Sequence, residues 1–174
     1  DTDLGSDVDD ALALALALAS PELELVAVTT VSREPRRRAA IARRLLELGG
    51  RPDVPVYAGC SDPLGPGPGF VWFGIEGEGI LEPGREPEVS SESALDALAR
   101  LLRARRGLEI VAVGPLTNLA ALLRRAPELA TRIAGLTVMG GHVRRVAVQG
   151  RELPHGIDYN LCSDPHASLL VLRA

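Results

Sequence analysis

Lysine is absent from this chain of 174 residues, and all 19 of its basic residues are arginine. Mechanisms that need a lysine ammonium, such as a Schiff base or the phosphate-binding lysine of a P-loop, are therefore excluded for these residues. Cysteine is also scarce, because only Cys60 and Cys162 occur. Two cysteines make neither a disulfide framework nor a zinc cluster, and we expect a reducing, cytoplasmic setting.

The chain also lacks a basic surplus and a long apolar run. Its formal net charge is −4, which argues against nucleic acid as a partner, since phosphate binding needs excess positive charge. The longest apolar run, residues 11–19, is far shorter than the roughly 20 residues of a membrane-spanning helix, so no membrane partner is expected. A content of 46% hydrophobic and 24% charged residues is typical of a globular protein.

Short segments rich in β-branched residues alternate with longer helical patterns. Strands are predicted at residues 23–31, 54–57, 108–113 and 136–139. Helices are predicted at residues 9–19, 35–48 and 91–106, and from Pro115 and Pro165 onward. The alternation predicts an α/β fold, a doubly wound, mostly parallel Rossmann-like sheet with helices on both faces. We expect one domain over residues 1–174.

The sequence of the first two helices also predicts which of their faces are buried. Four leucines at alternate positions in the first helix point to all its sides, which predicts that this helix is buried all round. The run Arg36–Arg37–Arg38 is expected to be the solvated face of the second helix.

Residues 59–87, which we name the glycine-rich loop, are crowded with glycine and proline, which predicts a long functional loop. Its aromatic residues form either a lid that stacks on a base or a loop anchor: Phe70, Trp72 and Phe73.

Five aspartates fall within the first ten residues: Asp1, Asp3, Asp7, Asp9 and Asp10. So many carboxylates before a helix repel one another, and a helix N-terminus offsets only part of one charge. A divalent cation with oxygen ligands, Ca²⁺ or Mg²⁺, would neutralise them. The alternative is a helix start with solvated acids.

Five short motifs, in order, cover the chain: DTDLG with DDALAL at residues 1–14, AVTTV at 27–31, VGPLTNLA at 113–120, VMGG at 138–141, and DYN with SDP at 158–165. Together they resemble the inosine-uridine preferring nucleoside hydrolases. The resemblance implies a Ca²⁺-dependent enzyme of purine and pyrimidine salvage. Such an enzyme hydrolyses the N-glycosidic bond of a ribonucleoside to ribose and free base, and commonly works as a homodimer or homotetramer.

The same resemblance implies a role for individual residues. Asp3 would ligate Ca²⁺ and act as the catalytic base that takes a proton from the attacking water. Asp10 and the backbone carbonyl of Thr117 would be further metal ligands. Around the small-molecule nucleoside, Asp9 would accept a hydrogen bond from the ribose 2-hydroxyl. Three more residues would complete the ribose site: Asn160 at the hydroxyls, Asp158 near the 5′-hydroxyl and Met139 along the sugar.

The chain departs from the family pattern at several positions. Asp7 and Val8 look inserted before the pair of acids, so Asp7 competes for a ligand role. Glu34 follows the Thr-Thr-Val strand where the family usually has Asn, and is expected to accept hydrogen bonds in its place. Phe73 stands where a His beside the base is common, and Asp158 replaces a longer Glu. The base preference therefore stays open.

Length is a further departure, because chains of the family run considerably further. Their later region supplies another calcium-binding Asp and a His near the leaving base. We therefore expect this chain to be a fragment, cut at both ends. Of its own histidines, His142, His155 and His166 lack metal-ligand spacing and are expected to be non-catalytic, with His155 as the best exception because it precedes Asp158.

Two other functions remain open at this point. A degenerate member of the family would bind calcium and a ribosyl ligand without turnover. Alternatively, Asp1–Thr2–Asp3 resembles the start of haloacid-dehalogenase-like phosphatases, which are Mg²⁺-dependent and form an aspartyl-phosphate. That family usually needs a downstream Lys, which this sequence lacks.

Overall fold

Six α-helices and six strands occur in the part of the chain that the structure, a computed structural model, describes: residues 1–71, 73–82, 84, 86–142, 144–153 and 158–174, with Val148 and Leu153 as backbone only. The helices are α1 (Asp9–Ala19), α2 (Pro35–Leu48), α3 (Ala94–Ala104), α4 (Thr117–Arg125), α5 (Tyr159–Ser163) and α6 (Pro165–Arg173). The strands are β1 (Val28–Thr30), β2 (Val56–Ala58), β3 (Glu109–Ala112), β4 (Gly135–Val138), β5 (Val146–Val148) and β6 (Arg151–Leu153). A 3₁₀ helix (Pro127–Arg132) precedes β4.

Parallel pairing organises the main strands. β1 pairs with β2 and β3 pairs with β4, both in parallel. Backbone hydrogen bonds join Thr2 to β1 and Asp1 to β3, so these first residues lie between the two pairs. The resulting order is β2, β1, residues 1–2, β3, β4, which confirms the predicted, mostly parallel sheet. Only β5 and β6 pair antiparallel, as a separate hairpin.

Side chains alternate along each strand, and helices cover both faces of the β1–β2 pair, where Tyr57 packs against α3 on the side opposite Val56. On the β3–β4 pair helices cover one face, and Val111 on the other face is 55% exposed. Val28 and Val56 point into a core with α1 and α2, whereas Ile110 and Ala112 point into a core with α3, α4 and α6. The predicted doubly wound arrangement is thus confirmed. The carboxyl ends of β1 and β3 lie on either side of residues 1–2, and parallel α/β sheets bind their ligands at such ends.

The expected burial of α1 on all sides is wrong. Leu14 and Leu18 pack against the α2 core, but Leu12 and Leu16 are 65% and 68% exposed. Leu12 and Leu16 stand one turn apart, so they share a side of the helix that faces away from α2. Within the described residues, none of the helices has the length and apolar character of a membrane span.

Several boundaries differ from the sequence expectations for local reasons. The first strand forms only at Val28–Thr30, because only these residues pair with β2. Helix α3 begins at Ala94, since the hydroxyl of Ser93 accepts a hydrogen bond from the Asp96 N–H and caps the helix. Strands β5 and β6 form a hairpin that the sequence patterns did not predict. Its turn residues Gln149 and Gly150 both have positive φ, as tight hairpin turns favour.

We expect Leu119→Ala to lower the free energy of unfolding by about 2–5 kcal/mol, because Leu119 is fully buried in the core of α3, α4 and α6 and its loss leaves a cavity. Leu172→Ala is the matched control, since that side chain is 64% exposed. Urea unfolding of both variants measures the difference. An equal effect of the two substitutions would contradict the described packing.

Candidate active site

Residues 3–10, which we name the acid loop, follow the central strand segment and fold back over it. The hydroxyl of Thr2 donates to Asp10 Oδ2 at 2.6 Å, and the Asp3 N–H donates to the same oxygen at 3.1 Å. Asp10 is thereby buried at the first turn of α1. Its other oxygen, Oδ1, is buried and has no hydrogen-bond partner.

The two carboxyl groups of Asp3 and Asp10 disfavour each other's charge. Burial, and then the neighbouring Asp10, raise the pKa of Asp3 to about 7, although the Arg38 guanidinium opposes this shift. Burial is also the main reason that the pKa of Asp10 is raised, while the hydrogen bond from Thr2 opposes it. Two desolvated acids side by side are a recognised feature of functional sites.

This pair fits a hard divalent cation. The unpartnered Asp10 Oδ1 and the half-buried Asp3 carboxylate offer oxygen atoms, the type of ligand that Ca²⁺ and Mg²⁺ prefer. The positive charge around these oxygens is too small to neutralise both acids. The described residues contain no cluster of three His, Cys, Asp or Glu side chains that could hold a metal. Within the described residues, further ligands would therefore be backbone or hydroxyl oxygens.

Thr117 lies on the neighbouring element. It begins α4 and is fully buried, and its hydroxyl donates to Asp164 Oδ2 at 2.8 Å. Three residues earlier, a Cβ atom on Gly114 would lie 2.7 Å from Asp3 Oδ1, so the Asp3 carboxylate packs directly on this turn. The structure thus brings the segment from Gly114 to Thr117 beside Asp3.

Asp7 and Asp9 lie on the exposed side of the acid loop. A hydrogen bond with Asp9 is the main cause that raises the pKa of Asp7. Asp9 Oδ1 also accepts from the Asp10 N–H at 3.0 Å. Asp9 therefore faces solvent next to the buried pair, where a substrate hydroxyl can reach it.

Asn160, Asp158 and Met139 meet at the ends of β3 and β4. The Asn160 amide is buried, and its nitrogen donates to the carbonyls of Val113 (2.6 Å) and Met139 (3.0 Å). Only its oxygen is left to meet a ligand. The Asp158 carboxylate caps α5 by accepting from the N–H groups of Asn160 and Leu161. The Met139 side chain is 41% exposed beside them.

Glu34 stands apart from these groups. It is exposed, precedes α2, and lines a cavity of about 390 Å³ together with Arg36, Arg37 and the segment 86–89. None of the hydrogen bonds described for the chain joins the Glu34 side chain to the acid loop. The preceding Ser32 and Arg33 both have positive φ, a strained backbone that is frequent at functional sites.

Two adjacent residues of the glycine-rich loop, Phe70 and Val71, accept hydrogen bonds from residues around the site. Arg33 Nε donates to the Phe70 carbonyl at 2.9 Å, and the Tyr159 hydroxyl donates to the Val71 carbonyl at 3.4 Å. Asp3 contributes to raising the pKa of Tyr159, after burial, which places this ring near the acid loop. Phe70 is buried and anchors the loop, whereas Phe73 is 60% exposed. Trp72 and His155 lie outside the described residues.

Sequence reasoning misassigned or missed four buried polar residues. Arg38, expected on a solvated face, is fully buried, because it begins the apolar side of α2 that continues through Ala39–Ala42. Glu76 in the glycine-rich loop is fully buried as well. Asn118 and Asp164 belong to the family motifs, but no neighbouring residues in the sequence indicated what they would bind. Asn118 is hydrogen-bonded to Asp1, Thr30 and Cys60. Asp164 is hydrogen-bonded to Leu64, Thr117 and Ala167.

A sequence profile described as "Inosine-uridine preferring nucleoside hydrolase" matches residues 1–174. The chain belongs to this nucleoside hydrolase family. The resemblance carried by its five motifs is thereby confirmed.

Relatives within the family match this chain over nearly its whole length. The pyrimidine-specific ribonucleoside hydrolase RihA of Salmonella paratyphi B is 36% identical over 173 residues, which are 95% of this chain and 54% of RihA. An uncharacterised protein of Schizosaccharomyces pombe is 36% identical over 181 residues, which cover 100% of this chain and 56% of that protein. A purine-preferring ribonucleoside hydrolase from Gardnerella vaginalis superposes with a TM-score of 0.79 at 30% identity, over 98% of this chain and 56% of the other. This nucleoside hydrolase chain therefore spans about half the length of the relatives it matches.

We expect the metal-free protein to lose thermal stability as the pH rises from about 5 to about 8. The folded Asp3 carboxyl holds its proton up to a pKa of about 7, whereas the unfolded one releases it near 3.8. Between these values the folded state binds more protons, so stability falls as the pH rises. Melting curves in EDTA measure the effect.

Asp3→Asn is expected to reduce this loss, because asparagine does not titrate. Asp53→Asn is the control, since Asp53 is an exposed acid whose pKa is lowered by Arg51 and should leave the pH trend between 5 and 8 unchanged. If Asp3→Asn left the pH dependence of stability unaltered, the raised pKa of Asp3 would not be its cause.

Proposed function

We propose that the protein containing this chain is a Ca²⁺-dependent ribonucleoside hydrolase, which splits the N-glycosidic bond to give ribose and free base. The observation that carries the proposal is the half-buried Asp3 beside the buried Asp10 at the carboxyl ends of parallel strands, with the Asp10 Oδ1 atom unpartnered. Membership of the nucleoside hydrolase family supports the reaction class. The printed names of RihA and of the Gardnerella enzyme support a ribonucleoside substrate.

The carboxylates of Asp3 and Asp10, with the Thr117 carbonyl, would hold the cation. Bound Ca²⁺ supplies positive charge that neutralises the two acids and lowers the pKa of a bound water. Asp3 is the base that takes one proton from the attacking water. The water oxygen forms a bond to C1′ of the ribose while the bond from C1′ to the base nitrogen breaks. The electron pair leaves with the base, which takes up a proton from solvent, and Asp3 then releases the proton of the water to solvent.

The remaining candidate residues would orient the ribose. Asp9, exposed beside the buried pair, accepts from the 2-hydroxyl. Asn160 offers its amide oxygen to the ribose hydroxyls, since its nitrogen is already committed to two carbonyls. Asp158 lies towards the 5′-hydroxyl, and Met139 provides an apolar wall. An oxocarbenium-like ribosyl group developing between these acids gains electrostatic stabilisation.

Glu34 is proposed as a hydrogen-bond acceptor for the ligand, on the support that it is exposed in the turn between β1 and α2. Phe73, also exposed, is proposed to face the base, and no base preference is assigned. The protein is proposed to act in nucleoside salvage in the cytoplasm. The scarcity of cysteine supports a reducing compartment. Assembly as a homodimer or homotetramer completes the proposal.

We expect Asp3→Asn in the intact protein to lower the release of ribose from a nucleoside panel by about 10³-fold, since a catalytic base contributes about 10²–10⁴-fold. EDTA should abolish the wild-type activity, and added Ca²⁺ should restore it. A reducing-sugar assay measures both effects. Asp53→Asn serves as the matched control, because this exposed acid lies in a surface ion pair.

Four outcomes would contradict the proposal. Full turnover in Asp3→Asn would remove Asp3 as the base, and activity indifferent to EDTA would remove the metal. Binding of Ca²⁺ and ribose without turnover in wild type would favour a binding-only protein. Release of phosphate with Mg²⁺ would favour the phosphatase. Asp7→Asn tests the competing ligand: unchanged Ca²⁺ affinity leaves Asp10 in that role.

A further inference from the structure

Arg38 lies fully buried beneath the acid loop, and its guanidinium donates hydrogen bonds to backbone carbonyls and to the Ser6 hydroxyl. Its Nη1 atom donates to the carbonyls of Asp3 and Leu4, the second at 2.8 Å. Its Nε atom donates to the Ser32 carbonyl at 3.1 Å. One guanidinium thus joins the acid loop to the strained turn between β1 and α2.

Glu76 faces Arg38 from the glycine-rich loop. Both side chains are 0% exposed, and Arg38 Nη2 lies 3.8 Å from Glu76 Oε1. The Ser6 hydroxyl donates to the same Oε1 at 2.9 Å and lies 3.3 Å from Arg38 Nη2, so it bridges the two charges. The Phe73 N–H also donates to Glu76 Oε1, at 3.3 Å. Three separate segments therefore converge on one ion pair.

The acid loop lies tightly on this pair. Gly5 has φ of 118°, and a Cβ atom there would lie 2.8 Å from Ile41 of α2 and 3.5 Å from Glu76. Only glycine adopts this backbone without strain. The loop therefore turns directly on α2 and Glu76.

Stability alone is a poor reason to bury these charges. Removing two ions from water costs several kcal/mol each, and a buried ion pair is often no more stabilising than apolar residues of the same volume. Arginine offers a rigid fork that reaches several acceptors at once, which lysine cannot reproduce. The acceptors of Arg38 described above belong to the segment that carries Asp3 and to the turn beside it. This placement indicates a positioning role.

We propose that Arg38 and Glu76 form a positioning pair that holds the acid loop in its cation-binding shape before any ligand arrives. The inference rests on the proposed function, since the acid loop matters as the cation site. Arg38 touches the Asp3 carbonyl rather than its carboxylate, so it acts through Asp3 and is not a catalytic residue.

The test compares the buried pair with a half-exposed pair on α2. Arg38→Lys and Glu76→Gln are made in the intact protein, with Arg44→Lys and Glu47→Gln as matched controls, because Arg44 and Glu47 form a half-exposed ion pair at 3.5 Å on α2. Hydrogen exchange without metal reports the order of residues 3–10. Calorimetric titration with Ca²⁺ reports the affinity of the site.

We expect at least tenfold weaker Ca²⁺ binding in Arg38→Lys, a smaller loss in Glu76→Gln, and a change of less than twofold in both controls. Amides of residues 3–10 should exchange at least tenfold faster in Arg38→Lys, while those of α3 and α4 keep wild-type rates. High Ca²⁺ should restore turnover of the folded variant, which a merely structural defect would not allow.

A folded Arg38→Lys with wild-type exchange in the acid loop and wild-type Ca²⁺ affinity would overturn the inference and leave the proposed function standing. If Arg38→Lys does not fold, Ser6→Ala decides, since it removes only the bridging hydroxyl. About threefold weaker Ca²⁺ binding supports the pair, and unchanged binding overturns it. A wild-type protein that binds no divalent cation overturns the proposed function and this inference together.

Discussion

Two carboxyl groups buried side by side are the constraint on which the rest of the site depends. Asp3 and Asp10 repel each other's charge in a poorly solvated place, and the protein either keeps a proton between them or neutralises them with a cation. The hydrogen bonds from Thr2 and from the Asp3 backbone hold Asp10 there in spite of this cost. Such a cost is retained where function requires the charges.

The framework around the pair is built from amides that join strand ends. Asn118 donates to Asp1 Oδ1 and to the Thr30 carbonyl, and accepts from the Cys60 N–H. Asn160 makes the equivalent connection between the ends of β3 and β4. Each satisfies backbone groups that a sheet edge would otherwise leave unpaired. The same bonds give the neighbouring acids a rigid support, which preorganised sites need.

Buried charge explains the most informative difference between expectation and structure. A run of three arginines is usually solvated, and Arg36 is exposed as expected. Arg38 is different because the glycine-rich loop, 38 residues further along, delivers Glu76 to it. The exposed leucines of α1 show the converse case, since an apolar pattern predicts burial only if another element covers it. Both depend on partners distant in sequence.

By itself, the sequence determined the α/β alternation, the mostly parallel sheet, the family, and the acids that form the candidate site. These follow from local pattern: β-branched runs, capping residues and a dense group of aspartates have physical consequences wherever the chain goes. Only the tertiary structure decided which acids are buried together, that Asp7 and Asp9 stay exposed, and that Arg38 and Glu76 meet beneath the loop. Burial and charge pairing arise between segments far apart in the chain, and no local pattern specifies those distances.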